Sequence, residues 1–375
     1  MTTVRQRVDC LTERQQEQLR EAFRRLMQSS DPNANYAFWA GIHGRCCPHR
    51  SELFLPWHRA YIYQFERALQ QAVGDPDLGL PYWNWTTTRD VPELFTKEPL
   101  TADRDPKRDP AKLPTPDIVE GLLNLPAFGD FGGRRCRPKC SGGDLEDVHA
   151  GIHGWLGRTM GDPKTAACDP IFWIHHCYVD ALWVAWQQTH SENPRCPGAP
   201  LLGIPGDWTV NDTLDTRSPR MDYEVVVCAR TFALDNWDTR GVSPSVVMRM
   251  PPYTSHLRVT LDVAAQGHGA TPIAVEVYGT GDVQVSGSIS LFGLHAGGHG
   301  GETHAALPVS ECGHVSGSPA RSFRVTGGDA SAFRDLSVQL QFQWHGDAKT
   351  RVTLRAPRVE MVAVDRPFSQ GLTRP

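Results

Sequence analysis

The chain carries 15 histidines, and two short stretches hold the ones whose spacing could do chemistry. His43, His49 and His58 fall in the first, and His149, His153 and His176 in the second, where His176 follows directly on His175. His149 and His153 are one helical turn apart, so both imidazoles project to one side and can hold one ion, with His176 completing the centre from the next helix. Two metal centres of three neutral nitrogens each are the natural inference. Such ligands suit copper and also suit zinc, so ligand type alone does not name the metal. Asp180 stands one turn beyond His176 and is expected to accept a hydrogen bond that orients a ligand.

The elements that must position these residues are mostly helical. Residues 11 to 28 open with Thr12 and Gln15 in capping-box spacing and place Leu19, Phe23, Leu26 and Met27 on one face. Residues 56 to 73 again have helical period, with Pro56 in the first turn and His58, Ile62, Phe65 and Leu69 facing inward. Helical signals return at 144 to 158 and 174 to 188, where His149, Ile152, His153 and Leu156 share a face. These four segments read as core helices. Between them, residues 86 to 143 are rich in proline, charge and glycine and read as a long surface excursion with short helices. After about residue 220 the pattern changes to short alternating runs such as YEVVVCA, HLRVTLDV, PIAVEVYG and LSVQLQFQW, the signature of a β-sandwich.

Composition narrows the function. A formal charge of -4, with acids and bases interspersed, offers no basic stripe for nucleic acid and no polybasic patch for a membrane surface. No run of eighteen apolar residues occurs, and the start MTTVRQRVDC has no apolar stretch of a secretory signal. Ten cysteines lean towards an exported or oxidising compartment, although they are too dispersed for a dense disulfide framework. Cys136 and Cys140 in RRCRPKC leave a disulfide, a zinc half-site or free thiols open.

GIHGRCCPHRSELFLPWHRAYIYQFERAL resembles the first copper motif of tyrosinases, catechol oxidases and molluscan haemocyanins. DVHAGIHGWLGRTM and DPIFWIHHCYVDALW resemble the second, and PYWNWT between them resembles the usual PYWDWT, with Asn84 in place of the aspartate. The resemblance covers roughly residues 9 to 190 and implies two copper ions with dioxygen as co-substrate. It assigns His43, His49 and His58 to one copper and His149, His153 and His176 to the other. The choice of His176 over His175 rests on this resemblance alone. It also implies a thioether between Cys47 and His49, which would lock the ring of a loop-borne ligand, and disulfides Cys10–Cys46 and Cys168–Cys228.

Two copper(I) ions held about 3.5 to 4 Å apart can each give one electron to dioxygen. Glu146, three residues before His149, matches an acid that in some relatives orients a phenol-deprotonating water. The position after His149, often asparagine in enzymes that hydroxylate monophenols, is Ala150. The position of a gating phenylalanine in some catechol oxidases aligns with Pro163, so no bulky gate is expected.

The expectation is therefore an α+β protein. Residues 1–220 form a mainly α-helical copper domain built on a four-helix bundle, and residues 221–375 form a C-terminal β-sandwich-like domain over the active site. Phe292 or Leu294 in the latter would fill the space a phenol needs. The expected activity is that of a polyphenol oxidase turning o-diphenols, and monophenols if Ala150 permits, into o-quinones. A haemocyanin-like oxygen-binding unit is the alternative.

Overall fold

The computed structural model describes residues 2–134 and 143–226 in full and, beyond them, the backbone of strands between Cys228 and Asp365. The chain divides into two compact units, Met1–Val225 and Val226–Pro375.

The first unit is helical, with α1 (Glu13–Gln28), α2 (Tyr36–Cys46), α3 (Phe54–Val73), α4 (Pro116–Leu123), α5 (Phe128–Phe131), α6 (Asp144–Leu156), α7 (Arg158–Gly161) and α8 (Ile171–Gln187). Thr12 and Gln15 do form a reciprocal capping box at the start of α1, which buries Leu19, Ala22, Phe23 and Leu26 against α3. Helix α3 stops at Gly74, whose φ of 70° is reached most readily without a Cβ. Helix α8 is apolar on nearly every side and is buried along almost its whole length, as befits a central helix.

The bundle around the histidines differs from the expected one in a single member. Helix α1 packs outside, on α3, and the fourth wall of the site is α2, which carries His43. Helix α2 is short and buries Tyr36, Trp39, Ala40, Ile42 and His43, so its sequence lacks the polar-to-apolar contrast that reveals a helix. Aromatic packing knits the helices: the rings of Phe65 and Trp173 stack with centroids 3.4 Å apart, Tyr36 and Phe23 both meet Phe65 edge-on, and they meet each other tilted.

The ends of this unit are tied together. Strand β1 (Thr3–Arg5) pairs in parallel with β2 (Tyr223–Val225). Behind them lies a fully buried network in which Arg5 bonds Glu66 and Asp180, and Arg59 bonds Asp180 and the Thr213 carbonyl. The Arg5 guanidinium also lies over the Tyr223 ring, and that of Arg59 over Trp183. The run YEVVVCA, a single strand in the sequence reading, is thus divided: its first half closes the helical unit and its second half begins the next.

The second unit contributes β3 (Cys228–Ala233), β4 (Trp237–Asp238), β5 (Ser245–Met250), β6 (Thr254–Gly267), β7 (Ile273–Gly281), β8 (Val285–Phe292), β9 (His314–Gly317), β10 (Ala320–Arg324), β11 (Leu336–His345), β12 (Val352–Leu354) and β13 (Arg358–Asp365). One sheet runs β3-β13-β6-β12-β4, with β9 and β10 also paired to the long β6; the other runs β5-β11-β7-β8. All these pairings are antiparallel. Leu294 lies outside the described residues, and Phe292 is described only as the last residue of β8.

Candidate metal centre

Two clusters of potential ligands lie back to back. One joins His43, Cys47, His49 and His58, the other His149, His153, His175 and His176, and within each the ligand atoms lie within 4.8 Å of one another. His43 comes from the last turn of α2, His49 from the loop before α3, His58 from α3, His149 and His153 from α6, and His176 from α8. The rings of His58 and His176 stack across the join at 4.2 Å and 7°.

Four of these rings are held in the same way. Nδ1 of His43 donates to the Pro163 carbonyl at 2.8 Å and Nδ1 of His58 to that of Phe54 at 2.9 Å. Nδ1 of His149 donates to the Glu146 carbonyl at 3.2 Å and Nδ1 of His153 to that of Met160 at 2.8 Å. A proton fixed on Nδ1 leaves Nε2 as a bare lone pair, the state a metal ligand requires. These bare nitrogens then converge: Nε2 of His176 lies 3.3 Å from that of His149 and 3.4 Å from that of His153. At least two of the three carry lone pairs that repel one another unless a cation lies between them.

Burial enforces neutrality. It lowers His43 to about 3 and His153 to about 4, and holds His58, His149 and His176 well below the usual imidazole range, each neighbouring imidazole adding to the effect. Nε2 of His43 and Nδ1 of His176 are buried without a hydrogen-bond partner among the described residues. A set of neutral imidazoles with bare, inward-facing nitrogens fits copper ions bound through nitrogen.

Other expected residues fall in different places. Asp180 does not serve a histidine: its oxygens are taken by Arg5, Arg59 and Tyr223, because the helical turn that separates it from His176 faces the buried arginines. The expected disulfides Cys10–Cys46 and Cys168–Cys228 are not formed, since Cys46 and Cys168 are free thiols. Cys10 is disulfide-bonded elsewhere, and the Cys46 side chain packs instead against Gly203, at a close approach that leaves no room for a Cβ there. Cys47 is also a free thiol, with Sγ 3.6 Å from Nε2 of His49 and 3.4 Å from Nε2 of His58. Asn84 is satisfied in its own turn, its side-chain oxygen accepting from the amide and hydroxyl of Thr86. Cys136, Cys140 and Leu294 lie outside the described residues.

The centre opens into a cleft of about 290 Å³ lined by His43, His49, Glu146, Ala150, Met160 and Pro163, among others. Oε1 of Glu146 accepts the Arg50 amide at 2.6 Å, and Oε2 is buried without a partner. Burial, with Asp147 nearby, raises this carboxyl to about 7. An acid at that value, facing a cleft beside the histidines, is poised to exchange a proton near neutrality.

The sequence reading missed the carbonyl anchors. Those of Phe54 and Glu146 follow from helical spacing, four and three residues before His58 and His149. Those of Met160 and Pro163 come from the loop around α7 and leave no local signal. It also missed Trp85, whose indole Nε1–H donates to Nδ1 of His175 at 3.3 Å.

Comparison with known proteins agrees with this geometry. The family model for the common central domain of tyrosinase matches residues 20–116 and 95–189. The tyrosinase of Streptomyces antibioticus is 28% identical over 204 residues, covering 44% of this chain and 72% of that protein. Among solved structures, the polyphenol oxidase of Grenache grape (Vitis vinifera) superposes with a TM-score of 0.54 at 23% identity over 60% of this chain and 84% of the other. A latent aurone synthase, itself a polyphenol oxidase, superposes with a TM-score of 0.53 at 16% identity over 98% of this chain and 91% of the other.

Proposed function

Residues 20–189 belong to the tyrosinase family of type-3 copper proteins, and from that premise we propose that the protein is a polyphenol oxidase that converts o-diphenols to o-quinones with dioxygen. The observation that carries this reading is the pair of three-histidine sets, with neutral, inward-facing nitrogens, four of whose rings line an open cleft. His43, His49 and His58 would hold one copper ion and His149, His153 and His176 the other. When bound, the copper pair supplies the two-electron exchange between diphenol and dioxygen.

The rest of the chemistry falls to the chain. Ala150 and Gly154, one turn apart on α6, leave the cleft side of that helix nearly bare, so a flat ring can approach. Pro163, where some relatives carry a blocking phenylalanine, leaves the entrance unobstructed. Phe54 and Phe172 pack on the histidine rings from the protein side and keep water from the floor. Glu146, which lines the cleft, would take the phenolic proton through one water. Two diphenols give up four electrons and four protons, and one dioxygen takes them to become two waters.

Monophenol hydroxylation is expected to be weak, because Ala150 offers no hydrogen-bonding side chain to help hold a water beside Glu146. In this reading Cys47 Sγ would be joined to a carbon of the His49 ring, the S–H and one ring C–H bond giving up two protons and two electrons that dioxygen takes up as hydrogen peroxide. The second unit would be a β-sandwich that keeps the site latent; its two antiparallel sheets support the sandwich reading. Disulfides at Cys10 and Cys196 accord with an oxidising compartment.

The test is quinone formation from an o-diphenol by the copper-loaded chain, followed together with oxygen consumption. Two quinones per dioxygen are expected, with loss of activity in His58→Ala and His153→Ala. Copper uptake without quinone formation, even after removal of the second unit, would instead favour an oxygen-binding protein.

A further inference from the structure

We infer that Trp85 decides which of the adjacent residues His175 and His176 can bind the second metal ion, by fixing the proton of His175 on the wrong nitrogen for coordination. The inference rests on the copper-site reading but not on phenol oxidation.

His175 is in most respects the equal of its neighbour. It is fully buried, and its ring stacks on His149 at 5.1 Å and 8° and meets His153 edge-on at 5.1 Å. It offers a ring nitrogen within the same 4.8 Å cluster as His149, His153 and His176. Proximity therefore does not explain why one of the pair would bind metal and the other not. Adding a fourth imidazole to one ion would close the position that dioxygen and substrate need.

The difference lies in the partner of Nδ1. At His43, His58, His149 and His153 that atom faces a carbonyl, an acceptor, which fixes its proton there and bares Nε2. At His175 it faces the indole Nε1–H of Trp85, which can only donate. Accepting that bond occupies the Nδ1 lone pair, so a neutral His175 carries its proton on Nε2. Neither nitrogen then has a lone pair for a metal. Nε2 of His175 is itself buried, and a hydrogen bond to the His149 backbone favours a proton on this ring. At His176 nothing holds Nδ1, and Nε2 already points at the Nε2 atoms of His149 and His153. Trp85 is thus a positioning residue that acts through His175 and keeps an imidazole-rich site three-coordinate.

The first test needs no metal. In the full-length, metal-free protein with nitrogen-15-labelled histidine, His175 is expected to carry its proton on Nε2, and His43, His58, His149 and His153 to carry theirs on Nδ1. A proton on Nδ1 of His175 would overturn the inference outright. The second test counts copper(I) retained per chain against a copper(I) chelator. His176→Ala should retain one ion, and Trp85→Phe/His176→Ala, which frees Nδ1 while keeping the aromatic ring, should recover the second at least about tenfold more tightly. Two ions retained by His176→Ala alone, or no recovery in the folded double variant, would contradict the role given to Trp85. A wild-type chain that shows the expected tautomers and binds two coppers, yet oxidises no phenol, would defeat the proposed function and leave this inference standing.

Discussion

The hydroxyl of Tyr223 donates to Oδ2 of Asp180 at 2.6 Å, while Oδ1 of the same carboxylate receives Nε of Arg59 at 2.5 Å. The last strand of the helical unit is thereby fastened to α8 one turn from the metal centre. A carboxylate fixed this way serves the fold and not a ligand, and its removal separates the two roles. Asp180→Asn leaves Arg5 and Arg59 buried with half their counter-charge, a change expected to cost about 3–5 kcal/mol. The thermal midpoint should fall sharply while the protein that remains folded still binds two coppers. Loss of one copper per chain with an unchanged midpoint would show that Asp180 acts on His176 after all.

Acid should unfold the metal-free chain early. Burial holds His43 at about 3 and His153 at about 4, and lowers His49, His58, His149, His175 and His176 as well. The unfolded chain takes up these protons near 6.5, the ordinary histidine value, and the folded chain only well below it. The stability they contribute is therefore complete above about pH 6.5 and lost as pH falls towards the folded values, by up to about 1.4 kcal/mol per pH unit for each histidine. Urea midpoints of the metal-free protein should drop steeply between about pH 7 and pH 5, and equal midpoints would contradict neutral buried imidazoles.

Glu146 bears the opposite sign. Its carboxyl is raised to about 7 by burial, with Asp147 adding to the effect, against the pull of the Arg50 amide. The folded state therefore holds this proton more tightly than the unfolded chain, and the stability it adds at low pH is lost as pH rises from the ordinary carboxyl value through about 7. As a proton acceptor Glu146 must be ionised, so turnover should climb across the same range. Glu146→Gln is expected to lower kcat by about 10²-fold and flatten that climb, as loss of a general base does. A pH profile unchanged in shape would remove Glu146 from the reaction.

Ala150→Asn supplies a side chain able to hold a water beside Glu146. The rate on a monophenol, relative to that on the matching diphenol, should rise at least about tenfold, within the range of general-base effects. The comparison is made on one copper-loaded preparation, and an unchanged ratio would place the control of hydroxylation elsewhere in the cleft.

The metal centre was legible in part from helical spacing, at His58, His149 and His153, and for His43, His49 and His176 from the resemblance of the surrounding motifs. His149 and His153 announce a shared face, and PWHRAYIYQFERAL announces an inward stripe bearing His58. What orients those ligands was not legible where the partner is a backbone carbonyl distant in the chain, as Pro163 is from His43. Helix α2 was hidden because burial erased its amphipathic contrast. Asp180 was misread because helical spacing fixes its distance from His176 but not which neighbours surround it, and two arginines from other elements claim it first. The cysteine pairs failed for a related reason: pairing depends on where Cys46 points, and it points at Gly203. The boundary between units was shifted because YEVVVCA reads as one apolar run with no turn signal inside it, although Tyr223–Val225 pairs with β1 and belongs to the helical unit.

That boundary sets the measurement that bears most directly on the central claim. A cut between residues 205 and 222 would sever Tyr223 from the helical unit, so the cleavage site belongs beyond Val226. Oxygen uptake by the copper-loaded chain with an o-diphenol is recorded before and after such a cut. A low rate that rises severalfold once the second unit is released, with two quinones formed per dioxygen, is the predicted result. Reversible oxygen binding without turnover in both forms would contradict the assignment as a polyphenol oxidase.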